Sequence, residues 1–285
     1  MTRILYYLII KPLSLLPYWV LYRLSDFLFI VFYYIIGYRK KVVKSNLQRI
    51  YKDESVIHKI EKSFYRHLCD VIVEGIKGFS ISEAQLRKRY RPEAMLDLEE
   101  DFRKGRSVIL SAAHYSNWEW ATMALPLHFN HTCIGIYTPL SNSFLEEKMK
   151  KSRSRTGLVL LKKDEVKNYY KTSSQDDAPS AHIYLVDQSP SAPDRALWLD
   201  FLGVKTPVQF GAEKYSKERN LPVHYIHTSR VKRGYYTFKI KRIVDDPTSL
   251  DHGVTMKTIY ANIEEMIQEK PSDWLWTHRR WKHCN

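Results

Sequence analysis

Cysteine is scarce in this sequence: Cys69, Cys133 and Cys284 are the only three in 285 residues. An odd count with no C-x-x-C pair excludes a disulfide framework and points to a reducing compartment. No small-residue cleavage site follows the first apolar run, so no signal peptide is read. P-loop, dinucleotide-binding, zinc-finger and RNP patterns are all missing, which removes the usual nucleotide-binding classes. The G-x-S-x-G elbow of serine hydrolases is missing too. His278, His283 and Cys284 form no convincing zinc set, His128 and His131 read as incidental, and no metal is expected. Acidic residues are outnumbered, 31 Asp+Glu against 45 Lys+Arg, for a net charge of +14. That excess fits an anionic partner, either a phospholipid surface or a nucleic acid.

What the chain has in quantity is aromatic and apolar side chains, including 20 Tyr and 7 Trp. From Ile4 to Tyr38 it is apolar and aromatic with few interruptions, broken early by Pro12 and Pro17. Tyr18 to Ile36 is about long enough to span a hydrocarbon core as a helix. It carries Arg23 and Asp26, three apart on one helical face where they can pair. Aromatic residues sit at both ends, and Arg39, Lys40, Lys41, Lys44 and Arg49 follow at once. The order predicts a membrane anchor over residues 1–40 with a basic cytoplasmic flank. Charges within the stretch favour a monotopic or re-entrant anchor over a full crossing.

Residues 41–285 read as a helical lead-in followed by an α/β domain. Apolar positions at three- and four-residue spacing predict helices between 40 and 90, and a short helix ends at Gly105. Continuous apolar runs at 107–113, 132–137 and 182–187 predict strands buried on both faces. Residues 222–229 and 235–243 predict further strands, the last alternating and half-exposed. Helices are predicted at 118–127, 143–155, 211–219 and 253–268. Strands alternating with helices indicate an α/β fold with a largely parallel sheet flanked by helices.

The passage richest in chemistry is SAAHYSNWEW, residues 111–120. A buried strand delivers His114 at its carboxyl end, Ser116 or Asn117 caps the next helix, and Glu119 falls in that helix's first turn. Ligands bind at the carboxyl ends of strands in open α/β sheets. Across a strand-to-helix junction, imidazole and carboxylate can meet as a general base and its orienting partner. Backbone N–H groups at the helix start are suited to stabilising developing negative charge.

His114 and Glu119 in H-x-x-x-x-E resemble the signature of glycerolipid-type acyltransferases. The surroundings narrow the resemblance to the late acyltransferases of lipid A biosynthesis, the lauroyl/myristoyl transferase family. IGIYTPLSNSFLEEKMKKSRSRTG (134–157), LVDQSP (185–190), FLGVKTPVQFGAEKYSKERNLPV (201–223) and WLWTHRRWK (274–282) are similar to that family's segments in the same order. The resemblance covers nearly the whole chain. It implies a glycerolipid acyltransferase-like fold, with His114 as general base and Glu119 as its orienting carboxylate. It also implies substrate contacts from Asn117, Arg153, Arg155, Asp187, Gln188, Thr206 and Lys214. At two positions the chain departs from the pattern: Ser189 stands where a further Asp is common, and Thr138 where many relatives carry Arg.

The implied activity is direct acyl transfer to a hydroxyl of a lipid A precursor. The donor is an acyl carrier protein thioester, no cofactor is required, and the place is the cytoplasmic face of a bacterial inner membrane. Expected partners are the acyl carrier protein, the precursor lipid and the membrane surface, with no nucleic acid. Two other readings stand beside this one. The acceptor is another hydroxylated lipid, such as an amino-acid lipid, or the chain is a non-enzymatic basic protein binding membranes or nucleic acid. The C-terminal Trp274, Trp276, His278, Arg279, Arg280, Trp281 and Lys282 mix aromatics with cations, which suits an interfacial belt or stacking on a single strand.

Overall fold

The computed structural model describes residues 2–173 and 178–284. The chain opens with α1 (Thr2–Leu5), a π-helical turn at Tyr6–Ile10, and α2 (Lys11–Leu15). Next comes α3 (Tyr18–Ile30), extended by a second π turn at Val31–Ile35. Pro17 holds extended backbone just before α3, where a missing N–H costs nothing. Tyr18–Ile35 is long and apolar enough to cross a membrane by length and composition.

One face of α3 nevertheless lies on the protein. After α4 (Lys40–Ile50), the long α5 (Glu54–Lys77) runs beneath α3. Tyr22 donates to Glu74 at 2.8 Å and Ser25 to Asp70 at 2.6 Å. Asp26 pairs with Arg233 at 2.7 Å, in place of the expected Arg23. The opposite face leaves Trp19 (71%), Phe27 (60%), Ile30, Tyr34 and Ile35 exposed.

The α/β part follows as α6 (Glu83–Arg89), β1 (Tyr90–Ala94), α7 (Leu96–Arg103), β2 (Val108–Ala112), α8 (Trp118–His128), β3 (Thr132–Tyr137), α9 (Ser143–Ser154) and β4 (Val159–Lys162). Then come α10 (Val166–Thr172), β5 (Ser180–Leu185), β6 (Leu197–Phe201), β7 (Val204–Val208), α11 (Gly211–Arg219), β8 (Val223–Lys232), β9 (Tyr235–Val244) and α12 (Val254–Glu269). Seven strands form one sheet in the order β1-β9-β8-β2-β5-β3-β4. Every neighbouring pair is parallel except β8 with β9, a hairpin. A separate antiparallel pair, β6 and β7, covers one side.

The expected α/β class, with a mostly parallel sheet between helices, is therefore what the chain adopts. The central strand β2 is buried at all five positions, as a strand covered on both faces must be. One core layer packs Ile109, Tyr225 and Val186 against α12; the other packs Leu110, Ala181 and Ile226 against α8. The β8–β9 turn docks onto α3 through Gly234: at φ +75°, a Cβ there would lie 2.0 Å from the Tyr22 hydroxyl, so only glycine fits.

Candidate active site

Neighbouring strands β2 and β5 run parallel with Ala112 opposite Leu185. Two residues beyond those partners the chain places His114 and Asp187, side by side at the carboxyl edge of the sheet. His114 Nδ1 lies 2.7 Å from Asp187 Oδ1, and the His114 backbone N–H donates to Oδ2 at 3.0 Å. The Trp274 indole N–H donates to the same Oδ2 at 2.8 Å. Burial opposes ionisation of Asp187, but the adjacent His114 and these hydrogen bonds outweigh it and hold the carboxyl below its ordinary range. An anionic partner on Nδ1 fixes the proton there and leaves Nε2 as the acceptor. Nε2 faces the Gln188 side-chain amide at 3.3 Å, and the Trp118 ring stands edge-on at 5.8 Å.

The carboxylate on His114 is thus Asp187, and the expected His114–Glu119 contact is not formed. Glu119 does sit in the first turn of α8, but that turn aims it toward α9. There one guanidinium nitrogen of Arg153 bridges both carboxylate oxygens at 2.9 and 3.2 Å. The turn between β2 and α8 is tight. Ser116 adopts φ +56°, its N–H donates to Asp273 O at 2.7 Å, and its carbonyl meets His67 Nε2 at 3.1 Å.

Asn117 caps α8, accepting from Trp120 N at 2.8 Å, and its amide donates to Glu74 at 2.6 Å. It is fully buried, with both polar ends of its side chain in these two hydrogen bonds. Arg155 donates to Gly78 O at 3.0 Å, a cation at the carboxyl end of α5. Thr206 is also buried, under the Trp281 indole at 2.9 Å. Neither residue lines the cavity described next.

That cavity has a volume of about 660 Å³ and is lined by His114 and Glu119. Its wall toward α8 is mainly apolar, with Ala112, Ala121, Leu125, Leu158, Ile183 and Ile226. Arg153, Lys163, Arg195 and Lys214 also line it, as does Gln188. Of the expected substrate residues, then, Arg153, Gln188 and Lys214 reach the cavity and Asp187 stands behind His114.

A large, mainly apolar chamber with an imidazole at its wall and cations around it suits a substrate with an acyl chain and an anionic head. The family model described as bacterial lipid A biosynthesis acyltransferase matches residues 1–283. The chain belongs to that family. It is also 22% identical over 249 residues to a lipid A biosynthesis acyltransferase of Haemophilus influenzae, covering 86% of this chain and 78% of the relative. Membership makes this protein an acyltransferase and sets aside the non-enzymatic nucleic-acid reading.

The sequence gives no sign of one buried carboxylate in this acyltransferase, and the C-terminal aromatics depart from the belt expected of them. Glu74, buried on α5, accepts from Asn117, Tyr236 and Tyr22 at once. Burial pushes its carboxyl up to about 7. The aromatic members of the C-terminal cluster form no surface belt: Trp274, Trp276 and Trp281 are buried together with Arg280, while Arg279 and Lys282 are exposed. Arg280 donates from Nη1 to Pro207 O and from Nη2 to the Tyr260 hydroxyl. His278 accepts the Ser189 N–H at 3.0 Å. Composition distinguishes none of these from surface residues; for the His114–Asp187 contact a weak signal exists, since LSAAH and YLVD each run from a buried strand to a reactive side chain.

Proposed function

We propose that this acyltransferase moves a fatty acyl group from an acyl carrier protein thioester to a hydroxyl of a lipid A precursor. The reaction takes place at the cytoplasmic face of the inner membrane. The observation that carries the reading is His114, fixed by Asp187 through Nδ1 and presenting Nε2 to the acyl-sized cavity.

The acceptor hydroxyl replaces the Gln188 amide at Nε2 and gives up its proton as its oxygen attacks the thioester carbon. A C–O bond forms, the C–S bond breaks, and the imidazolium returns the proton to the carrier thiolate. The Asp187 carboxylate stabilises the imidazolium meanwhile and is not itself protonated. No cofactor and no covalent enzyme intermediate enter the scheme. Arg153, held by Glu119, and Lys214 meet anionic groups of donor or acceptor. The exposed face of α3 rests in the lipid surface, with the basic residues after it on anionic head groups.

The test uses the purified full chain in detergent with a medium-chain acyl carrier protein and a tetra-acylated lipid A precursor. Mass spectrometry reads the added acyl mass, with His114→Ala and Asp187→Asn beside the unaltered chain. Product from the unaltered chain alone supports the reading. Product with a hydroxylated amino-acid lipid and none with the lipid A precursor would replace the acceptor. Equal product from acyl coenzyme A would remove the requirement for the carrier.

A further inference from the structure

The C-terminal segment crosses both strand ends that carry the reacting pair. Trp274 forms an isolated antiparallel bridge with Tyr115, and Leu275 N donates to His114 O at 3.1 Å. On the β5 side, Trp274 Nε1 reaches Asp187 Oδ2 and His278 Nε2 accepts from Ser189 N. Each of the two loops is therefore tied to the same five residues, 274–278. The segment is itself anchored: Asn46 donates to Trp276 O at 2.9 Å and His278 O at 2.8 Å, and Trp276 Nε1 donates to Pro271 O at 2.7 Å.

We infer that Trp274 is a positioning residue for acyl transfer, its indole N–H holding the Asp187 carboxylate in the plane that serves His114. This rests on the proposed roles of His114 and Asp187. The carboxylate has two oxygens and two tasks. Oδ1 takes the imidazole, while Oδ2 is fixed by the His114 backbone N–H and the Trp274 N–H. Without the indole donor Oδ2 keeps one bond, and rotation about the terminal torsion is opposed only by groups on the His114 side.

Two surroundings make the indole a donor with no competing use. Trp274 is buried (2% exposed) among Phe201, Trp276 and Trp281 at ring separations of 5.8, 4.7 and 6.0 Å, so its ring cannot turn away. His278, the other imidazole near Asp187, is kept uncharged by burial, which lowers its pKa to about 4. It thus remains an acceptor for Ser189 N at working pH. Tyr225 and Tyr260, which also feel Asp187, are held neutral by burial. Among the described residues, a charge-assisted hydrogen bond from a neutral indole is then the one donor to Oδ2 that does not come from His114 itself.

Trp274→Phe removes the N–H and keeps the ring. Expected is a fall in kcat of about tenfold, the scale of one hydrogen bond to a charged group, with KM changed much less. Removing a donor leaves more negative charge on the carboxylate that faces His114, so the acidic limb of the kcat/KM profile moves to higher pH. Phe201→Leu, a packing neighbour that touches neither Asp187 nor His114 through a hydrogen bond, should lower Tm and leave that limb in place.

In the unaltered chain, one indole ¹⁵N–H resonance should shift on Asp187→Asn and titrate in step with the acidic limb, a measurement that does not depend on Trp274→Phe folding. A Trp274→Phe protein with an unmoved limb and unmoved kcat, or an indole set insensitive to Asp187→Asn, overturns the inference. Full activity in Asp187→Asn would instead overturn the reading of the pair on which it rests.

Discussion

His114 and Asp187 stand two residues beyond Ala112 and Leu185, which face each other in the register of parallel strands β2 and β5. The contact of 2.7 Å between them follows from strand pairing, since equal offsets from paired residues end at the same level of the sheet. A carboxylate five residues along the chain has no such constraint. Glu119 enters a helix whose axis carries it toward α9, where Arg153 takes it.

Asp187→Asn should lower kcat for acyl transfer by about a thousandfold, within the range general-base assistance contributes. Its KM for either substrate should change little, because Asp187 lies behind His114 and off the cavity wall. Steady-state transfer of a labelled acyl group checks both parameters.

Glu119→Gln should act differently. The Glu119–Arg153 pair is about a quarter exposed on each side and lies on the cavity wall. Its loss leaves Arg153 without its anchor, so KM should rise by about tenfold, one hydrogen-bonded charge pair, with kcat the less affected. A kcat loss equal to that of Asp187→Asn, at unchanged KM, would show that Glu119 serves His114 during turnover.

How far the sequence foretold this arrangement depends on which elements are asked about. Central strands β2, β3 and β5 were legible because strands covered on both faces must be continuously apolar. Helix α11 is legible to its ends, between Gly211 and the left-handed Asn220, and α8 and α9 to within a residue, their starts marked by the capping side chains of Asn117 and Asn142. Strands β1, β4, β6 and β7 were missed: each is four or five residues, and YRPEA or VKTPV mixes proline and charge in a way that also describes a loop. His114 is legible at a strand end, but the carboxylate it meets, expected along the chain at Glu119, comes across the sheet from Asp187. Glu74 and Trp274 were invisible as site residues because burial at a tertiary contact leaves no local pattern.

Buried groups set a pH dependence of stability that Glu74→Gln can isolate. Burial raises the folded pKa of Glu74 to about 7, above its unfolded value, so the folded state binds the extra proton. Its contribution is fully present below about pH 4.5 and is lost as pH rises toward 7. His67, His182 and His278 act in the opposite sense. Burial lowers each to about 4, so the unfolded state binds more protons between pH 4 and 6.5 and stability rises across that window. Thermal unfolding of the unaltered chain should therefore move to higher temperature from pH 4 to 6.5. In Glu74→Gln that rise should be steeper, because the opposing group is gone.

The outward face of α3 makes its own prediction. Trp19 and Phe27 are exposed while Leu21, Ser25 and Phe29 on the same helix are buried. Replacing both exposed aromatics with Asp should leave Tm nearly unchanged, since neither contributes to the core. Each aromatic transferred from water is worth roughly 1.5 kcal/mol or more, so partition into anionic phospholipid vesicles should weaken by about a hundredfold. Flotation with vesicles measures it; unchanged flotation would mean that α3 does not face lipid.

Gly135 on β3 bears on chain-length choice. It lines the cavity beside Leu158, and a Cβ built on it would lie 3.4 Å from both Leu158 methyl groups. Ala is therefore tolerated with a slight shift, whereas the branches of Val must enter the cavity or displace Leu158. Each methylene of an acyl chain gains about 0.8 kcal/mol from burial, so losing space for two of them changes preference by roughly fifteenfold. Gly135→Val should accordingly favour a donor two carbons shorter than the one preferred by the unaltered chain, in competition assays with a ladder of acyl carrier proteins read by mass spectrometry. An unaltered preference, with normal kcat, would place the end of the acyl chain on the other side of the sheet, where the same cavity meets Val186, Val208 and Met266.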